Sequence, residues 1–397
     1  MKAFNPALLI AGPCICVYKG LGFYSKADVP VNPKEDLTDI PSAAFGPVGQ
    51  IATNQLFEIK MTPAGQLDVL DVLFPPHLRN FATGLLIHKT QDIGTVSTTT
   101  GVVTKAAHGW RDKAMVRLDT YGALPTGWSK DTLYYLHALS TGTYTLHTTE
   151  VDAGTGANPV IPSTTGTGRH RIIEQEQLLI WSINEQKGYI FHNAAITGVP
   201  GITSANTETA VKEVTFTCYR KHAADAATDT EAFYSPTTTA PTVAFDPDAI
   251  VIAPKTVKWG TTAPWSEMPT EKGVEIDWGI TLEAERDDVG GIVSHKITAI
   301  VPTAKARPRN ITEDDLLAKR NFQGAGAGNG RRITAGDNLI IEGEGLYIIL
   351  YGATLTDSPY GYDGKEDRVR DFTWKALRKF VSSVPQPLYY IGSAAPV

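Results

Sequence analysis

The sequence predicts a mainly β protein of two related domains, with a third, smaller β domain inserted in the first. Three observations predict it. A short passage occurs twice at identical spacing, period-two alternation is widespread while helical periodicity is scarce, and one Thr/Gly-rich stretch has no counterpart elsewhere.

The repeat sets the domain count. From Ala194 the chain reads A-x-I-T-x-x-P, and from Ala353 it reads A-x-L-T-x-x-P. Each copy follows an apolar run (Leu178, Leu179, Ile180; Leu339, Ile340, Ile341). Each precedes an alternating stretch that ends in Arg-Lys, Phe216 to Lys221 and Phe372 to Lys379. A passage repeated with its flanks points to a repeated structural unit.

Alternation is clearest from Val274 to Glu285. Val274, Ile276, Trp278, Ile280, Leu282 and Ala284 fall on one face of a strand, and Glu275, Asp277, Gly279, Thr281, Glu283 and Glu285 on the other. One face packs on a core and the opposite face is acidic. In the first half Phe57, Ile59 and Met61 alternate with Glu58, Lys60 and Thr62, which makes Glu58 the expected equivalent. The reading continues with a turn at Pro63-Ala64-Gly65 and a strand from Leu67 to Phe74. In the second half a turn at Asp287-Asp288-Val289-Gly290-Gly291 leads to a strand Ile292 to Val301. Both halves then pass through Pro-rich segments holding Arg-Asn, at Arg79-Asn80 and Arg309-Asn310. Thr312 followed by Asp315 has the spacing of a helix cap.

Residues 94–171 have short β-rich runs separated by turn residues, which predicts an inserted small barrel or sandwich. Residues 223–248, rich in Ala, Thr, Asp and Pro, read as a linker. The expected organisation is therefore 1–93 plus 172–222 as one discontinuous domain, 94–171 as the insert, and 249–397 as the second domain.

Composition narrows the function classes. With 36 basic and 42 acidic residues the net charge is −6, the opposite of the basic excess expected of a general nucleic-acid binder. No apolar run reaches the ~20 residues of a membrane-spanning helix. Cys14, Cys16 and Cys218 form neither a disulfide framework nor a zinc pattern. Cys14 and Cys16 alternate on one strand face and read as buried thiols.

No catalytic constellation stands out. The run Gly324 to Gly330 followed by Arg331-Arg332 lacks the preceding strand, following helix and Gly-Lys-Ser/Thr of a phosphate loop, and reads as a loop. The nine histidines lack metal-ligand spacing. Asp287-Asp288 falls at a hairpin tip and Asp314-Asp315 in a helix first turn, where carboxylates suit the helix dipole. We expect no enzyme, cofactor or metal. Trp110, Trp128, Tyr134 and Tyr135 in the insert read either as a sugar-stacking set or as core.

The passages G-P-C-I-C-V-Y-K-G-L-G-F-Y-S-K, G-Y-I-F-H-N-A-A-I-T-G-V-P and V-T-F-T resemble tail tube proteins of long-tailed bacteriophages. The second-half passages W-G-T-T-A-P-W and A-R-P-R-N-I-T-E-D-D-L-L are similar to the same family. The resemblance covers residues 12–93 and 172–380. It implies tandem tube-like β-sandwich or barrel domains, each with a short helix, in rings that stack into a hollow tube. Some members carry two tube domains per chain and form trimeric rings with pseudo-sixfold symmetry, and the duplication fits that variant.

The resemblance implies a virion tail location, assembly in the host cytoplasm, and no membrane. The expected partners are other copies of the chain, the tape measure, terminator and distal tail proteins, and DNA that passes without specific binding. A lumen that lets DNA slide is acidic or neutral, because cationic walls hold phosphate. Glu58, Glu275, Asp277, Glu283 and Glu285 are the candidate lining, with a plain solvated outer face as the competing reading. The tip residues Asp287, Asp288 and Gly290, and Gly326, Gly328 and Arg331 of the Gly-rich loop, are candidate contacts between stacked rings. A distal or hub ring protein of the same fold, and a carbohydrate-binding surface protein, are the alternative functions.

Overall fold

The computed structural model describes residues 14–42, 46–64, 85–86, 89–130, 132–204, 209–220, 233–243, 254–287, 291–312, 315–316, 319, 336–343, 346–357, 371–381, 384–392 and 395–396. The protein is mainly β, with curled sheets and half-barrels. Every named strand pair is antiparallel.

The two halves share one framework. In the first, Cys14–Tyr18 pairs with Leu178–Ser182, which pairs with Lys187–Phe191, which pairs with Tyr234–Thr237. In the second, Pro254–Trp259 pairs with Asp337–Gly343, which pairs with the start of Leu346–Asp357, which pairs with Tyr389–Gly392. Beside these lies a second layer. Ala194–Gly198 pairs with Val214–Cys218, which pairs with Gly46–Met61, which pairs with Val31–Ser42. Its counterpart runs from the end of Leu346–Asp357 through Phe372–Ala376 and Thr303–Pro308 to Thr270–Asp277.

The registers coincide as well. Ala194 faces Cys218 and Ile196 faces Phe216, with a bulge before Gly198. Ala353 faces Ala376 and Leu355 faces Trp374, with a bulge before Asp357. Between the layers the core continues through both halves, and at matched positions volume is exchanged across strands. Ile59 faces Phe216 in the first half, where Ala304 faces Trp374 in the second. Volume-conserving exchange of this kind keeps a close-packed interior filled.

The expected first-half hairpin is corrected. The strand ending at Met61 pairs with the preceding strand, so the hairpin is Val31–Ser42 with Gly46–Met61. The expected strand from Leu67 to Phe74 and the exit at Arg79-Asn80 lie outside the described residues. This first hairpin corresponds to the chain from Ile276 to Ala306. Register shifts fall between Asp36 and Leu37 and between Ile40 and Pro41, and equally between Thr281 and Leu282 and between Glu285 and Arg286.

The expected continuous strand Val274 to Glu285 is also corrected. It is two strands, Thr270–Asp277 and Ile280–Asp287, in different sheets. The break falls at Trp278 and Gly279. Gly279 has φ +55°, its amide donates to Asp277 Oδ1 at 2.9 Å, and the buried Trp278 Nε1 donates to Pro200 O at 2.9 Å. Burial alternates straight through the corner, which is why the sequence pattern hides it. Ile280–Asp287 pairs with Gly291–Ile300 to form the second hairpin.

Two further differences concern organisation. The interval expected as a linker holds the strand Tyr234–Thr237, Tyr234 facing Phe191. The first half also lends strands to the second: Ile202–Ser204 pairs with Thr270–Asp277, and Leu85–Leu86 pairs with the second hairpin.

Thr90–Asp92, His170–Glu174, Met115–Thr120, Tyr134–Ser140, Thr143–His147, Val103–Thr104 and Thr95–Val96 make a separate sheet with its own core around Val116, Leu136, Tyr144 and Leu146. A helix, Glu150–Thr155, is capped by Thr149 and ends at Gly156, φ 72°. Among the described residues the first half shows no other helix. In the second half Asp315 N donates to Thr312 Oγ1 at 3.2 Å and Thr312 N donates to Asp315 Oδ2 at 3.0 Å, the reciprocal cap of a helical turn.

Candidate functional site

The second-layer sheets of the two halves each bury one face and present the other. On the presented face Thr197 Oγ1 donates to Thr215 O at 3.5 Å, and at matched positions Thr356 Oγ1 donates to Thr373 O at 3.0 Å. Lys60 and Lys305 also occupy matched positions, one residue after Ile59 and Ala304. The face is therefore a threonine-rich surface with repeated lysines.

Glu58, Glu275 and Asp277 lie on this face, and each carboxylate has basic or polar company. Lys60 Nζ sits 3.9 Å from Glu58 and 3.6 Å from Glu213. Glu275 pairs with Lys212 and faces Lys305 across the strands. Asp371 takes Lys305 at 3.4 Å and Arg307 at 3.1 Å. The acidic face read from one strand is thus a mixed-charge surface, because the neighbouring strands supply lysines that a single strand cannot reveal. Pairs this exposed contribute little stability.

The structure separates the other two candidates. Glu283 and Glu285 stand on the second hairpin, beyond the Trp278-Gly279 corner. Glu283 faces Lys296, and Lys296 Nζ is 3.5 Å from Glu285. Glu58 is not their equivalent, since its matched position is Thr303. Asp287 ends its strand opposite Gly291. Asp288, Gly290, Gly326, Gly328 and Arg331 lie outside the described residues.

The surface missed by sequence reasoning is the first hairpin. Residues 33–40 are exposed, and among them and their partner strand Leu37, Ile40, Val48 and Ile51 are 51, 40, 61 and 55% exposed. A two-stranded ribbon with most of its residues exposed is marginal in water on its own. Both its faces are solvated, so its sequence has no period to detect.

The second hairpin is covered. Leu282, Ala284 and Ile292 pack with Ala195, Tyr219 and Leu56 of the first half. Asn54 Oδ1 accepts from Ile292 N at 3.2 Å, and Tyr219 Oη meets His295 Nδ1 at 2.5 Å.

Where the insert joins the first half, two ion pairs cross. Lys19 donates to Glu174 at 2.7 Å, and Arg111 of the insert donates to Glu176 at 2.6 Å. Burial pushes the Glu176 carboxyl up to about 7, opposed by Arg111 and reinforced by Glu174. Burial likewise lowers Lys89 to about 8; its Nζ lies 4.0 Å from the Trp110 ring centre.

Trp110, Trp128 and Tyr134 are core residues of the insert, with Trp128 Nε1 donating to Val160 O at 3.1 Å. Tyr135 is half-buried. The three cysteines are buried and form no disulfide, and burial pushes the Cys14 thiol up to about 11. Among the described residues no group of three or more His, Cys, Asp or Glu side chains is placed to hold a metal ion. No helix among them is long and apolar enough to cross a membrane.

No protein-family model matches the chain. A search of curated proteins returns no match.

Proposed function

We propose that the chain is a tail tube subunit of a long-tailed bacteriophage. Three copies form a ring of six similar lobes, and rings stack into a conduit through which DNA slides. The observation that carries this reading is the register-matched duplication: one chain holds two copies of a layered β framework, down to the bulge after Ile196 and Leu355. A duplicated unit supplies six equivalent positions from three chains, and closed cyclic symmetry is the usual way such contacts are satisfied.

Two features support it. The exposed first hairpin is a ready contact element. The threonine-rich face of compensated charge is the kind of wall that holds phosphate weakly, since uncompensated lysines drive DNA binding. The candidate lining on this reading is Glu58, Glu275 and Asp277 with their lysines, and DNA passes without specific contacts. The tape measure, terminator and distal tail proteins are the partners at the ends of the tube.

Negative-stain electron microscopy of the purified chain tests the reading. Stacked threefold rings are expected. A chain that stays monomeric at high concentration, or rings of six chains, would contradict it. Single rings that never stack would favour a distal or hub ring protein of the same fold.

A further inference from the structure

The second half is covered by the first at three places. The strand Ile202–Ser204 pairs along the edge at Val274 and Ile276. Leu85–Leu86 pairs along the second hairpin at Lys296 and Ile297. Leu282 packs against Tyr219 and Ala195.

Each of these places has a counterpart in the first half, because the two hairpins correspond through both bulges. The counterpart of Ile276 is Val31: each faces its matched residue, Ala304 or Ile59. Pro30 O accepts from Lys60 N at 3.3 Å, so by alternation the N–H and C=O of Val31 point to the outer edge. The counterparts of Lys296 and Ile297 are Ile51 and Ala52, and the counterpart of Leu282 is Leu37. Among the described residues the outer edge of Val31–Ser42 carries no strand, none lies beside Ile51 and Ala52 apart from the hairpin partner, and Leu37 is exposed.

We propose that the first hairpin docks on the second half of another copy of this chain, in the manner in which the second hairpin docks on the first half within one copy. Among the described residues, three contacts made inside the chain have no equivalent at their matched positions, and the surface that takes Leu282 has its counterpart on the second half. The receiving residues follow from the same correspondence. Tyr219 and Leu56, which take Leu282, match Leu377 and Val301, and both of these are half-buried rather than enclosed. Leu37 then lies on Leu377 of the next copy. The contact is head-to-tail, so it propagates, and it closes into a ring when the rotation per half is one sixth of a turn. Closure into a ring rests on the tube reading above; the docking itself does not. Unpaired edges with apolar side chains are aggregation hazards unless a partner covers them, and the next copy provides that cover.

The test is a cysteine pair, Leu37→Cys with Leu377→Cys, oxidised at assembling concentration and read by non-reducing electrophoresis and native mass spectrometry. The native thiols are buried and stay out of the reaction. A ladder ending at covalent trimers is expected, with the ladder absent from either single variant. Leu37→Asp, at an exposed site, should fold as the parent does and lose assembly by at least tenfold in concentration. Rings that form without cross-links, or that survive Leu37→Asp, would overturn the docking while leaving the tube reading intact. Cross-linked open chains of any length would uphold the docking and remove the closed ring. A parent chain monomeric at every concentration would overturn both.

Discussion

Tyr18 and Trp259 stand at matched positions in the two halves, opposite Leu178 and Leu339, and each donates its side-chain hydrogen to the first alanine of the repeated passage. Tyr18 Oη reaches Ala194 O at 3.2 Å and Trp259 Nε1 reaches Ala353 O at 2.9 Å. Each ring also meets its neighbour edge-on, Tyr18 on Phe216 at 5.0 Å and Trp259 on Trp374 at 5.8 Å. A different aromatic does the same work in each half. Removing the Tyr18 hydroxyl leaves a buried carbonyl short of a donor. Tyr18→Phe should therefore cost about 1–2 kcal/mol in urea unfolding, with the fold retained.

This relationship explains what was legible in the sequence. Ala194 and Ala353 are fully buried beneath those aromatics, and their passages keep identity because each residue has one place to fit. Cys14 and Cys16 were legible for the same reason. The first hairpin was not: Pro33, Glu35, Asp36 and Pro41 give it no period, since both faces of the ribbon meet water. The mixed charge around Glu275 was hidden because Lys212 and Lys305 are brought beside it by pairing distant in sequence.

The crossed ion pairs at the insert predict a pH dependence. The folded carboxyl of Glu176 is raised above its unfolded value, so the folded chain holds more protons than the unfolded chain between about pH 4.5 and 7. Its contribution to stability is present in acid and is lost as pH rises through about 7. Glu176→Gln should flatten that slope. Arg111→Met leaves an ionised carboxylate buried, and should cost about 2 kcal/mol at pH 8 and much less at pH 5.5. Urea unfolding at the two pH values checks both; equal losses for Arg111→Met at the two would contradict the account.

The corner at Gly279 makes a third prediction. With φ +55°, a Cβ there would meet Val301 O at 2.5 Å. Gly279→Ala should lower stability by about 2 kcal/mol or more, from left-handed strain and the close carbonyl together. Gly142 has open space around an added Cβ. Gly142→Ala, measured in the same thermal melts, should change little.

The exposed ribbon gives a fourth. Val48→Asp and Ile51→Asp lie at sites open to solvent and should shift unfolding by no more than about 0.5 kcal/mol. Sedimentation velocity should nevertheless show assembly weakened in both. A loss of stability without a loss of assembly would assign these side chains to the core instead.

On the proposed function, three duplicated chains make six equivalent lobes. A cryo-EM reconstruction of the assembled particle, refined without imposed symmetry, tests it most directly. Threefold rings with six similar inner lobes and three outer densities are expected, one for each insert between Thr90 and Glu174. Rings of six chains carrying six inserts, or particles whose two halves sit at unrelated angles to the axis, would contradict it.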